Sequence, residues 1–243
     1  MSALPSQHQP NLRHLEIHVT YRCVLRCFHC SNNVQQAPSN ETMPYELIEN
    51  VIHESVRLNW PWEWLVLHGG EAALHPKFEK ICQLLAAYKK SHNPSVKLFC
   101  CSSGWTDFIK SKLNYAQSLG FGREDSGKNG DPYVVYHVPI SNSPVDNSED
   151  YYLGCFQTSK CGIAVNTHGF YPCSPMAASQ RLFGYEPLCT RLEDVTTEKL
   201  AAGFALACQH CGYARVNLKS DPHAAYSPTW LVAMEKYKSK MAG

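Results

Sequence analysis

Three cysteines within the first thirty residues constrain this chain more than anything else in it. They are Cys23, Cys27 and Cys30, spaced C-x3-C-x2-C. The run before them alternates: Leu15, Ile17 and Val19 are apolar, Glu16 and His18 polar, which is the period of a half-buried strand. A strand that ends directly in three closely spaced thiols predicts a loop organised around a metal group. Three thiolates on one short loop can hold three irons of a cubane cluster and leave the fourth iron open to a further ligand. Zinc is the alternative, but zinc usually takes four closing ligands, often from paired C-x2-C units.

The remaining composition narrows the class. The chain has 243 residues, 44% hydrophobic and 18% charged, enough for one large domain or a domain with a small appendage. Its net charge of +1 comes from scattered lysines and arginines, so nothing suggests a nucleic-acid groove. No apolar run is long enough to span a membrane. The opening residues lack the regions of a signal peptide and read as a disordered lead over 1–11. Twelve cysteines without an export signal argue against a disulfide framework and suit metal ligation in a reduced cytoplasm.

Along residues 12–150 strand and helix patterns alternate. Strands are expected at about Leu12–Thr20, Trp64–His68, Val96–Cys101 and Tyr133–Ile140, the last after a polar loop at Arg123–Pro132. Helices are expected from Pro44 to about Asn59, with Leu47, Ile48, Val51, Ile52, Ser55 and Val56 as the inner stripe, at Lys77–Ser91 and at Thr106–Leu119. The βαβ rhythm implies a parallel sheet. In 151–227 cysteines, glycines and aromatics dominate. Gly162–Asn166 and Phe170–Pro172 read as a β-hairpin turning at Thr167-His168-Gly169, and a helix spans about Thr196–Ala207. The tail, 228–243, reads as a helix with Leu231, Met234, Tyr237 and Met241 on one face.

The second expected strand ends in Gly69-Gly70-Glu71. The cysteine loop and this GGE element, in this order and each after a strand, resemble the radical S-adenosylmethionine (SAM) enzymes. The resemblance implies an α/β fold, a shortened partial (β/α) barrel with ligands at the strand C-terminal ends. It implies that Cys23, Cys27 and Cys30 hold a [4Fe-4S] cluster and that Gly69, Gly70 and Glu71 bind the amino group of SAM. Glycines let backbone approach a ligand, and a carboxylate or carbonyl accepts from an ammonium. His29 stands where the family places an aromatic or histidine beside the adenine. Ser103 and Ser141 fall where the family contacts the SAM ribose or carboxylate, although Ser102-Ser103-Gly104 replaces the frequent Thr-Asn-Gly.

Six cysteines follow in the distal segment: Cys155, Cys161, Cys173, Cys189, Cys208 and Cys211. Cys161 to Cys173 around a hairpin, then a distant C-x2-C, resembles the twitch or SPASM extensions that hold an auxiliary [4Fe-4S] cluster. Cys173, Cys208 and Cys211 are the firmest ligands, the fourth is Cys155 or Cys161, and Cys189 is a spare. A structural zinc site has the same ligand needs. Cys82, Cys100 and Cys101 read as buried apolar residues.

The activity this implies is reductive cleavage of SAM to a 5′-deoxyadenosyl radical that takes hydrogen from a substrate C–H bond. The substrate would be a small polar metabolite such as a sugar, cyclitol or nucleotide-like molecule, and the electron donor a flavodoxin or ferredoxin. His18, His68 and His137 are the candidates for a proton acceptor. Other readings are a peptide maturase, a glycyl radical enzyme activase, and a non-catalytic iron–sulfur or zinc module.

Overall fold

The computed structural model describes residues 11–125, 155–212 and 225–242. The elements are β1 His14–Thr20, α1 Tyr45–Arg57, β2 Trp64–Gly69, α2 Phe78–Ser91, β3 Lys97–Ser102, α3 Asp107–Ser118, β4 Gly122–Asp125, α4 Phe156–Cys161, β5 Ile163–Asn166, β6 Gly169–Tyr171, α5 Ser174–Phe183, α6 Thr197–Ala207 and α7 Pro228–Ala242. Among the described residues six strands form one open sheet in the order β4-β3-β2-β1-β5-β6. Every pairing is parallel except the β5–β6 hairpin. This is the partial barrel expected of the sequence, built from right-handed βα units that need helical crossovers between parallel neighbours.

Alternation decides what each face of the sheet carries. Leu15, Ile17 and Val19 of β1, Leu65 and Leu67 of β2, Leu98 and Cys100 of β3, and Ile163 and Val165 of β5 enter the main core. The helices close over it with Ile48, Val51 and Ile52 of α1 and Phe78, Ile81, Cys82 and Leu85 of α2. Burying one such aliphatic side chain stabilises the fold by roughly 1.5–3 kcal/mol. The opposite face is polar where β1 and β2 meet, with Glu16, His18 and Thr20 buried on β1. Helix starts are fixed locally: Thr106 and Thr196 accept from the backbone N–H of Ile109 and Lys199, capping α3 and α6.

Three features differ from the pattern reading, and one expected strand is not among the described residues. The expected polar loop at Arg123–Pro132 begins instead as β4, which pairs in parallel with β3 from Phe99↔Gly122 to Ser102↔Asp125. The strand expected at Tyr133–Ile140, with His137, and Ser141 lie outside the described residues. The distal hairpin joins the barrel sheet directly, since β5 pairs with β1 from Leu15↔Ile163 to Ile17↔Val165. In α7 the buried residues are Trp230 and Ala233, while Leu231 and Met241 are exposed, so packing picks a different stripe from the expected one. Trp230 decides it, because its Nε1 donates to the His210 carbonyl at 2.7 Å and its ring meets Phe183.

Candidate active site

The cysteine loop leaves β1 at Thr20 and is stitched to the end of β2 by two backbone hydrogen bonds. Gly70 N–H donates to Thr20 O and Glu71 N–H to Arg22 O, both at 2.7 Å. Such an approach demands glycine. Gly69 has φ +117°, and a Cβ there would stand 2.3 Å from the Thr20 oxygen; at Gly70 it would stand 2.3 Å from the Arg22 oxygen. The two motifs that sequence places forty residues apart therefore form one edge-to-edge surface. Gly70→Ala is expected to destabilise the protein by about 1–3 kcal/mol, because neither backbone carbonyl can swing aside; a thermal melt checks it.

The three cysteines of the loop gather in one small cluster. Cys27 and Cys30 pack with Leu25, and Cys23, Val34 and Trp105 close over them. Leu25 N–H donates to Cys23 Sγ at 3.4 Å, an arrangement that favours a thiolate. Three cysteines packed in one cluster, with a backbone donor on Cys23 and apolar cover, fit a three-thiolate cluster anchor. His29 is fully buried, edge-on to Phe28 and to Tyr226.

Glu71 is buried at 1% exposure, and its carboxylate is held by three donors. Ser102 Oγ donates to Oε1 at 2.6 Å, and Ser103 donates to Oε2 through N–H at 2.9 Å and Oγ at 2.7 Å. The GGE glutamate thus ties the end of β2 to the end of β3. Ser103, expected at the ligand, is already engaged with Glu71.

A clamp that sequence gave no hint of comes from α5. Arg181 donates to Ala37 O and to Asn32 O, both at 2.6 Å, and to Ala178 O at 3.2 Å. Its guanidinium lies 3.6 Å above the centre of the Tyr21 ring. Burial lowers its pKa from the usual arginine range, opposed by Tyr21, Tyr237, Glu41 and Cys30 nearby. The helix that carries it had a signal: Ser174-Pro175 at its start and Gly184 in the left-handed conformation at its end.

The distal cysteines also converge. Burial pushes the thiols of Cys173 and Cys208 well up, and the next causes are one another's neighbours: Cys208, Cys211 and Cys155 act on Cys173, and Cys211 and Cys155 on Cys208. Four thiols near enough to act on one another, with Cys155 and Cys208 buried and Cys173 and Cys211 half-buried, are a donor set suited to a thiophilic cation. Cys155 precedes α4, Cys173 precedes α5, and Cys208 and Cys211 bracket a 3-10 turn after α6. Cys161 ends α4. Cys189 bridges to Phe170 and packs against the main core, its neighbours being Lys199, Asp194 and Glu54. Cys82 and Cys100 lie in that core as well, as expected of apolar residues.

No protein-family model matches this sequence, and no curated protein sequence matches it closely. Solved structures do. BtrN in complex with AdoMet and 2-DOIA superposes with a TM-score of 0.57 at 15% identity, over 89% of this chain and 100% of that one. BtrN in an open conformation gives 0.54 at 16% identity, over 89% and 99%. BtrN is a radical SAM enzyme. The fold of this chain is the radical SAM fold. A looser likeness, to anSMEcpe with bound AdoMet, has a TM-score of 0.48 at 11% identity over 94% and 97%, too low to build on. Among the described residues no helix is long and apolar enough to cross a membrane.

Proposed function

We propose that this radical SAM fold serves an enzyme that cleaves SAM reductively and takes a hydrogen atom from a small polar substrate. The observation that carries the reading is the pair of backbone bonds joining Gly70 and Glu71 to the start of the cysteine loop. It brings the residues suited to an iron–sulfur cluster and those suited to the SAM amino group onto one surface. The small-molecule part is supported by BtrN, whose structure holds AdoMet with 2-DOIA.

Cys23, Cys27 and Cys30 would hold the [4Fe-4S] cluster through three thiolates. Gly69 and Gly70 would offer close backbone approach to the methionyl end of SAM, and Glu71, bound by Ser102 and Ser103, would keep that edge rigid. His29, buried against Phe28 and Tyr226, would flank the adenine. Glu16, His18 and Thr20 are buried on the inner face of the sheet, where exclusion of water would protect a reactive species. When bound, the reduced cluster and SAM together supply a 5′-deoxyadenosyl radical, which abstracts hydrogen from the substrate. The electron would come from a flavodoxin or ferredoxin.

Cys155, Cys173, Cys208 and Cys211 would hold a second, auxiliary cluster. Cys155→Ser is then expected to lower the iron content of the anaerobically reconstituted protein from about eight to about four per chain, and the sulfide content with it. Iron and sulfide assays read both. The functional reading is tested by titrating SAM into the cluster-loaded protein under anaerobic calorimetry. Saturable binding that disappears in Cys30→Ala supports it; no heat of binding in a protein with full iron content contradicts it.

A further inference from the structure

Three other ligand-type side chains meet on the inner face of the sheet, apart from both cysteine groups. Glu16 and His18 lie two residues apart on β1, and His68 of β2 is the direct cross-strand partner of His18. The pleat turns all three to one side. Their ligand atoms lie within 4.8 Å of one another. The Glu16 side chain is 8% exposed and that of His68 16%, while His18 is wholly buried.

The hydrogen bonds fix the state of His18. Tyr21 Oη donates to the Ala177 carbonyl at 3.1 Å, so its oxygen is the acceptor for His18 Nδ1 at 3.0 Å. The proton is then on Nδ1, and Nε2 is a bare lone pair. Burial, followed by His68 and Arg181, holds this imidazole neutral by pushing its pKa well down. Ser174 Oγ lies 2.6 Å from His18 Nε2 and 3.2 Å from His68 Nδ1. Its one proton can serve one of them only.

Glu16 is the group this network leaves over. Among the described residues its Oε2 receives no hydrogen bond, and its nearest charge partner, His68 Nδ1, stands at 3.5 Å. A buried carboxylate oxygen without a donor or cation is costly. Nothing in the packing of β1 requires it, since the neighbouring Leu15 and Ile17 already fill the core on the other face.

We propose that Glu16, His18 and His68 bind a divalent transition-metal ion, with the Ser174 hydroxyl or a water as a further ligand. Two neutral imidazoles and one carboxylate are the donor set taken by Zn2+ and by Fe2+ where a coordination position stays open. The ion gives Glu16 Oε2 its counter-charge and both imidazoles an acceptor for their lone pairs. Tyr21 plays the part of the outer hydrogen-bond acceptor that orients a ligating histidine. The site differs in kind from the cysteine groups, being built of nitrogen and oxygen, and it does not depend on SAM cleavage.

The probe is Zn2+. The protein is first loaded with its iron–sulfur clusters anaerobically, then exposed to zinc, desalted, and assayed for zinc, iron and sulfide. About one zinc per chain beyond the iron is expected, with an X-ray absorption first shell of nitrogen and oxygen at about 2.0–2.1 Å. Glu16→Gln and His68→Asn should each weaken zinc binding by tenfold or more while iron and sulfide stay constant. A first shell of sulfur near about 2.3 Å would mean that zinc had entered a cysteine site and would overturn the proposal. So would no retained zinc, or zinc undiminished in both variants. The wild-type stoichiometry and absorption shell decide the matter even if a variant fails to fold.

Discussion

Glu71→Ala is expected to destabilise the protein by about 3–5 kcal/mol and to abolish SAM binding with it. The first figure follows from what the carboxylate holds. Its three hydrogen bonds come from Ser102 and Ser103, and hydrogen bonds to a charged acceptor contribute about 1.5–3 kcal/mol each, partly recovered when a hydroxyl finds another partner. Alanine leaves the buried Ser102 hydroxyl and the Ser103 N–H facing a void. Glu71→Gln should recover part of the stability, because its carbonyl oxygen can accept from Ser103 N–H and Oγ while its amide N–H donates to the Ser102 hydroxyl oxygen, though without the strength a charged acceptor gives. A chemical denaturation series measures the stability, and SAM titration on the surviving folded fraction measures the binding. A variant that stays as stable as the parent while losing SAM would show that Glu71 acts at the ligand alone and not as the tie between β2 and β3.

Arg181→Met should be nearly as damaging, and in a place the residue does not touch in sequence. Arg181 belongs to α5, yet two of its three acceptors are carbonyls of the segment that follows the cysteine loop. Methionine fills much of the volume but leaves Asn32 O and Ala37 O without these donors, a cost of about 1–3 kcal/mol for each buried group. In a chain of this size that lowers the melting temperature by about 10 °C. The loop that carries Cys30 loses its clamp at the same time, so iron retention by the first cluster should fall although all cysteines remain. Arg181→Lys can reach one carbonyl but not both in the planar fork of a guanidinium, and should recover part of the loss only. Iron analysis beside a thermal melt reads both effects.

These two residues also mark how far the sequence could be read. The strands of the first half were legible because alternation in Leu15–Val19 and the apolar run Trp64–His68 have one simple outcome. The helices α1 and α2 were legible because their stripes repeat at the helical period, and Ile48, Val51, Ile52, Phe78, Ile81 and Leu85 are indeed buried. That the cysteine loop and Gly69–Glu71 both follow strand C-terminal ends was legible in the sequence, whereas the backbone bonds at Thr20 and Arg22 that join them were not. What escaped were contacts made across long separations. Arg181 on the Asn32 and Ala37 carbonyls spans more than 140 residues, and no local pattern announces it. Helix α5 was not expected, although Pro175 and Gly184 mark its ends. Helix α7 was found but its buried face was not, because Trp230 is chosen by the His210 carbonyl and Phe183 rather than by the helix's own periodicity. The choice between Cys155 and Cys161 is equally beyond spacing, since both precede Cys173 at plausible distances; the fold places Cys155 among the thiols that act on Cys173 and Cys208.

The central claim is that Cys23, Cys27, Cys30 and the Gly69–Glu71 edge together support SAM cleavage. The most direct measurement is to load the clusters anaerobically, add SAM and a strong reductant such as dithionite, and assay for 5′-deoxyadenosine. Formation of 5′-deoxyadenosine by the wild type and none by Cys30→Ala is the predicted result. Its absence from a preparation with full iron and sulfide content, across a panel of sugars, cyclitols and nucleotides, would contradict the account and leave the cysteines as a structural metal site.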